Sequence, residues 1–212
     1  MARIDPLVEV ALANLRTQEG AKEAKDIGLM DFAQLMMPNY KRAKHLEMLA
    51  EELEAVERGE IDRLLVEMPP QHGKSLLGSV IFPAWYLGRH PEQRVILASY
   101  GGELAEGFGR KARNITVSSP YKRIFPRSGL SPDSRAVNLW YTDDGGFMLS
   151  AGTSGPITGW GADLGLIDDP IKNKAEAESA VYREQLWGWY RAEFYTRLAE
   201  RAAVVGTMTR RH

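Results

Sequence analysis

The segment LLVEMPPQHGKSLLGSV, residues 64–80, constrains this chain more than any other. An apolar run of strand type leads into it, an amphipathic run of helical type leaves it, and Gly73-Lys74-Ser75 lies between. A phosphate-binding loop needs backbone N–H groups converging on a phosphate, a lysine that reaches its oxygens, and a hydroxyl for Mg²⁺ at the head of a helix. Gly73, Lys74 and Ser75 supply these, with Pro70, Gln71 and His72 as the rest of the cradle. The pattern G-x-x-x-x-G-K-[ST] also asks for an earlier glycine, and Met68 stands there instead. Pro69 and Pro70 remove two N–H donors but pre-set φ and stiffen the entry. Taken alone, the segment fits a stiff turn as well as a nucleotide site.

A second segment weighs the balance. In DLGLIDDP, a short apolar run ends in Asp168, Asp169 and Pro170. Asp before Pro is also a common turn opening. A nucleotide hydrolase, however, needs an acid at a neighbouring strand tip for the metal shell and a second carboxylate for water. Both segments together favour hydrolysis.

The intervening pattern alternates between strand and helix periods. Strands are expected over IDRLLVEM, RVILASY, ADLGLIDDP and AAVVGTMT, with AVNLWYT and GFMLSAG as a hairpin around Asp143-Asp144-Gly145-Gly146. Helices are expected over KSLLGSVIFPAWYLGR, kinked or shortened by Pro83, over GGELAEGFGRKARNITV, and as one long helix from about Lys174 to Glu200. Residues 118–133 read as a polar, proline-rich loop. Residues 1–59 read as helical, with Asp5 a cap, Pro6 at a first helical position, and a second helix placing Leu46, Leu49, Leu53 and Val56 on one stripe before Gly59. This order predicts an α/β fold with a mainly parallel sheet covered on both faces, a core over residues 60–212, and a helical N-terminal lid over residues 1–59.

Composition narrows the chemistry. The net charge is −1, so bulk attraction to nucleic acid is excluded and any contact needs a local patch. With no cysteine and four histidines, the chain offers neither a disulfide nor a thiolate zinc site. No apolar run reaches the length of a membrane span, and a cytosolic setting is expected.

Together these segments resemble the ATPase domain of phage large terminases, motors that pump viral DNA into procapsids. The resemblance is carried by LEAVERGEIDRLLVEMPPQHGKS, ILASYGGELAEGFGRKAR, YKRIFP, GTSGPITGWGADLGLIDDPIKNKAEAES and the closing TMTRRH. It implies a P-loop NTPase fold of the RecA-like type, with ATP and Mg²⁺ as ligands. Lys74 and Ser75 would serve the phosphates and the metal, Asp168 the metal shell, and Asp169 the position where most terminases carry a catalytic glutamate. The family usually has arginine where this chain has Gln71, so a charge at the γ-phosphate would have to come from a neighbouring subunit.

By family position, Thr209 and Arg210 would couple hydrolysis to movement, although threonine is also simply a good strand residue. Tyr40 and His45 are candidates for adenine contact, or core residues of an amphipathic helix. Arg110, Lys111 and Arg113, with Lys122, Arg123 and Arg127, are candidates for backbone contact with double-stranded DNA, or a solvated face. Trp187, Trp189 and Tyr190 read as core or subunit contact. The resemblance further implies a portal protein, a small terminase subunit, a homo-oligomeric ring, pentameric by family expectation, and work in the host bacterial cytoplasm. Full-length members carry a C-terminal nuclease, and no DNA cleavage is expected from this chain. Two other readings stay open: a helicase-like DNA-dependent ATPase, and a nucleotide-binding assembly module with little hydrolysis.

Overall fold

The computed structural model describes residues 26–134 and 136–209. The expectations at Asp5, Pro6 and Arg210 lie outside the described residues. Six strands form one sheet: β1 (Arg63–Met68), β2 (Arg94–Ser99), β3 (Leu139–Tyr141), β4 (Phe147–Gly152), β5 (Ala162–Asp168) and β6 (Leu198–Thr209), in the order β1-β6-β5-β2-β4-β3. All pairings are parallel except β3 with β4, the expected hairpin, whose turn closes through Thr142 N–H on the Gly146 carbonyl at 2.9 Å.

Strand alternation sorts the apolar residues between two faces. Val95, Leu97, Leu164, Leu166, Ala203 and Val205 enter one core; Ile96, Ala98, Leu149 and Val204 enter the other. The first core takes most of the helices: α1 (Leu29–Met36), α2 (Lys44–Glu57), α3 (residues 74–89), α4 (Gly102–Thr116) and the short α5 (Ser119–Ile124). The second is covered by Trp189 and Phe194 from the segment before β6.

Three expectations change. Pro83 neither shortens nor ends its helix. Instead α3 continues through it as Lys74–Leu76, a π-helical turn Leu77–Ile81, and Phe82–Arg89, with the proline second in the last part. The long helix from Lys174 is divided. Ser179 adopts an extended backbone and caps a new start through Tyr182 N–H, giving α6 (Lys174–Glu178) and α7 (Ala180–Trp189). After π and 3-10 turns the chain is already in β6 at Leu198. The loop after Ser118 contains α5, because Ser118 accepts from Tyr121 N–H and Pro120 fits the first turn.

α2 lies alongside α3 in the same direction, pinned at both ends. Its 14 residues span about 21 Å at ~1.5 Å each. Near the start, the Leu46 methyls would lie 3.3 Å from a Cβ on Gly73. At the far end, the buried Glu57 carboxylate accepts from Arg89 Nε at 2.7 Å and His90 Nε2 at 2.8 Å. Leu49, Leu53 and Val56 fill the space between, as their stripe predicts.

Burial works against ionisation of Glu57, but the bonds from His90 and Arg89 outweigh it and hold the carboxyl below its ordinary range. A lowered folded value stabilises above the ordinary range and loses that contribution as pH falls through it. Glu57→Gln is therefore expected to cost about 2–3 kcal/mol at neutral pH. Urea denaturation should show the deficit shrinking as pH drops below the ordinary glutamate range.

Candidate nucleotide site

Parallel register assembles the site before any loop is considered. Ser99 pairs with Asp168 across β2 and β5, and Asp168 pairs with Thr207 across β5 and β6. The three residues form a polar row at the strand ends, each 2% exposed or less. The Ser99 hydroxyl donates to the Asp168 carbonyl at 2.5 Å, and the Thr207 hydroxyl donates to Asp168 Oδ1. Ser75, at the head of α3, donates its hydroxyl to the same Oδ1 at 3.0 Å.

Asp168 Oδ2 is buried without a hydrogen-bond partner. Desolvation raises the proton affinity of Asp168; the Thr207 bond, the Lys74 charge and the Ser75 bond oppose it, while the Asp169 charge adds to it. An orphaned buried carboxylate oxygen beside a serine hydroxyl is the donor set that suits a hydrated Mg²⁺, which keeps several waters and takes few protein ligands. Among the described residues no cluster of three or more His, Cys, Asp or Glu side chains could hold a metal by itself.

Asp169 behaves differently from its neighbour. Its φ is +43°, a left-handed conformation that turns the chain out of β5, and its N–H donates to the Thr207 carbonyl at 2.9 Å. The carboxylate forms an ion pair with Lys74, whose side chain is 6% exposed. It also accepts from Thr209 twice, from the backbone N–H at 2.6 Å and the hydroxyl at 2.8 Å. Lys74 Nζ further lies 3.5 Å from Ser75 Oγ. The two adjacent P-loop residues thus meet the two adjacent aspartates.

The loop itself is bent by Gln71 at φ +63° and Gly73 at φ +85°. Gln71 and His72 are exposed. His72 Nδ1 donates to the Pro70 carbonyl at 2.8 Å, and His45 Nε2 donates to the His72 carbonyl at 3.1 Å. The Tyr40 hydroxyl is buried without a partner, and desolvation pushes its pKa up to about 12.

The DNA candidates lie elsewhere. Arg110 and Lys111 are exposed on α4, and Lys122, Arg123 and Arg127 are exposed on and after α5. Arg113 Nη1 is instead bonded to the Ala136 carbonyl at 3.0 Å. Trp189 is buried, whereas Trp187 is 53% exposed and stacks on Tyr190 at 5.3 Å. With Leu65 and Met208 they line an apolar cavity of about 470 Å³. Among the described residues no helix is long and apolar enough to cross a membrane.

Sequence reasoning did not pick out Ser99 or Thr207. The available signal was a small hydroxyl residue ending an apolar strand, in RVILAS and in VVGT.

Residues 65–212 match the family model described as the N-terminal part of the terminase large subunit, T4likevirus-type. The chain belongs to the terminase large-subunit family. Among solved structures, the large terminase of bacteriophage HK97 is similar over 85% of this chain, with a TM-score of 0.56 and 10% identity. An ATPase-domain variant of the large terminase from Thermus phage P74-26 is similar over 84% of this chain and 68% of its own, with a TM-score of 0.49 and 13% identity. The terminase chain spans 37% of the length of the HK97 protein. No curated protein sequence matches it significantly. The HK97 likeness agrees with the P-loop fold built above from strand order and register.

The left-handed turn at Asp169 suits an aspartate. Aspartate tolerates positive φ better than longer side chains, since its short carboxylate bonds locally. Asp169→Glu should lower stability by about 1 kcal/mol in chemical denaturation without nucleotide.

Proposed function

We propose that this terminase chain is an ATPase motor domain that hydrolyses ATP to drive double-stranded DNA into a procapsid. The observation that carries the reading is the convergence of Lys74 and Ser75 with Asp168, Asp169 and Thr209. Ser75 Oγ and the orphaned Asp168 Oδ2 would hold Mg²⁺, directly or through its waters. Such an ion would supply positive charge that offsets the charge on the phosphate oxygens.

The remaining chemistry falls to the chain. Lys74 is held by Asp169 and can transfer its ion pairing to incoming phosphate oxygens. That transfer frees an Asp169 oxygen to orient water and take its proton, as water attacks the γ-phosphorus and the bond to the ADP oxygen breaks. Asp169 is also bonded to the backbone and hydroxyl of Thr209, so a change at the phosphates reaches β6 directly. This is the physical content of the coupling role proposed for Thr209. Gln71 donates a hydrogen bond but no charge, so full activity calls for an arginine from another subunit in a ring. Double-stranded DNA, a portal protein and a small terminase subunit are the proposed partners, in the host bacterial cytoplasm. Arg110 and Lys111 are the proposed phosphate-backbone contacts, which would make DNA binding fall steeply with salt.

A phosphate-release assay with Mg²⁺ and ATP tests the reading. Lys74→Ala and Asp169→Ala should each cut turnover by about 10²–10³ or more, in line with the loss of a preorganised charged group. ATP binding without phosphate release by the wild type, even when concentrated and supplied with DNA and portal, would sink the motor assignment.

Gln71→Arg addresses the missing charge. It should raise the turnover of dilute protein about 10-fold or more, a fraction of the ~10³–10⁵ that an arginine supplies in related enzymes. Unchanged turnover in an active preparation would show that charge at residue 71 is not limiting.

A further inference from the structure

The phosphate loop lacks its first glycine and two N–H donors, so something else must set its shape. The structure shows what does. His45 and Leu46, consecutive in the first turn of α2, both press on the loop. The Leu46 methyls lie 3.3 Å from where a Cβ on Gly73 would stand, and His45 bonds the carbonyl of the preceding residue, His72. The two imidazoles also meet edge to face, with centroids 5.7 Å apart. A carbonyl oxygen only accepts, so His45 carries its proton on Nε2.

A planar trans peptide points its C=O and its N–H in opposite directions. Holding the His72 carbonyl toward α2 therefore aims the Gly73 N–H away from α2. Anion-binding loops depend on such fixed N–H directions, with the carbonyls turned out and satisfied elsewhere. α2 can act as a rigid support because Glu57 anchors its other end to Arg89 and His90.

Resting on the nucleotide-site reading above, we propose that His45 is a positioning residue for the phosphate loop. Through the His72 carbonyl it orients the Gly73 N–H, and so sets affinity for the triphosphate group whatever base is attached. It stands in for part of what the missing glycine and the proline-blocked donors do in other loops.

Calorimetric titration of Mg·ATP and Mg·tripolyphosphate into wild type, His45→Ala and His45→Gln tests this. His45→Ala should weaken both ligands by the same factor, about 5–10-fold, the worth of one hydrogen bond. His45→Gln, which keeps an N–H donor, should recover most of that loss for both. The melting temperature without ligand should hardly move, since His45 is exposed.

Loss of ATP affinity with tripolyphosphate unchanged would assign His45 to the base and overturn the proposal. So would unchanged binding of both ligands, or equal losses in the alanine and glutamine variants. Wild-type protein that binds ATP but not tripolyphosphate would also count against it, because affinity would then not reside in the loop. Wild type that binds neither ligand removes the nucleotide reading itself, and the brace with it.

Discussion

Two consecutive carboxylates at the end of a strand face a geometric conflict. Alternation sends neighbouring side chains to opposite faces of a sheet, yet Ser75 and Lys74 are also consecutive and need both. The left-handed turn at Asp169 resolves the conflict. Asp168 is still in β5 and stays in the buried row with Ser99 and Thr207, while Asp169 swings out to Lys74 and Thr209. Everything proposed for this terminase depends on that division. One carboxylate is buried, where the proposed metal shell would form; the other is partly exposed and, in the proposed cycle, would change partners.

The division also explains why β6 matters. β6 supplies Thr207 to the buried aspartate and Thr209 to the partly exposed one, from residues two apart on a single strand. Movement of Asp169 away from Lys74 would change what Thr209 holds, while Thr207 keeps Asp168 in place. A strand bonded to both carboxylates would give the proposed phosphate chemistry a short path to the sheet. On the other side of the site, α2 lies beside α3 and contacts the loop through His45 and Leu46. The site is thus framed by two rigid elements, a parallel sheet and a paired helix layer.

Much of this was legible in the chain itself. The strands around Leu64, Ile96, Leu149, Leu166 and Val204 carry apolar runs bounded by turn residues, and the stripe from Leu46 to Val56 is the buried face of α2. Pro83 and Ser179 were harder to read. A π turn let the helix pass the proline, and a serine cap broke a helix whose residues all tolerate helical backbone. Both outcomes rest on local hydrogen-bond rearrangements that hydrophobic periodicity does not register.

At the site, the residue types in MPPQHGKS and LIDDP determined the chemistry by themselves: a lysine, a hydroxyl and two acids at strand–helix junctions. Their convergence was decided only by the tertiary structure. Register between parallel strands far apart in sequence placed Ser99, Asp168 and Thr207 in one row. The fold brought His45 and Leu46 against a loop more than twenty residues away. No periodicity within a segment encodes such contacts, because parallel pairing and helix docking are set by how whole layers pack. The sequence names the reacting groups, and packing decides which hydrogen bond each of them makes.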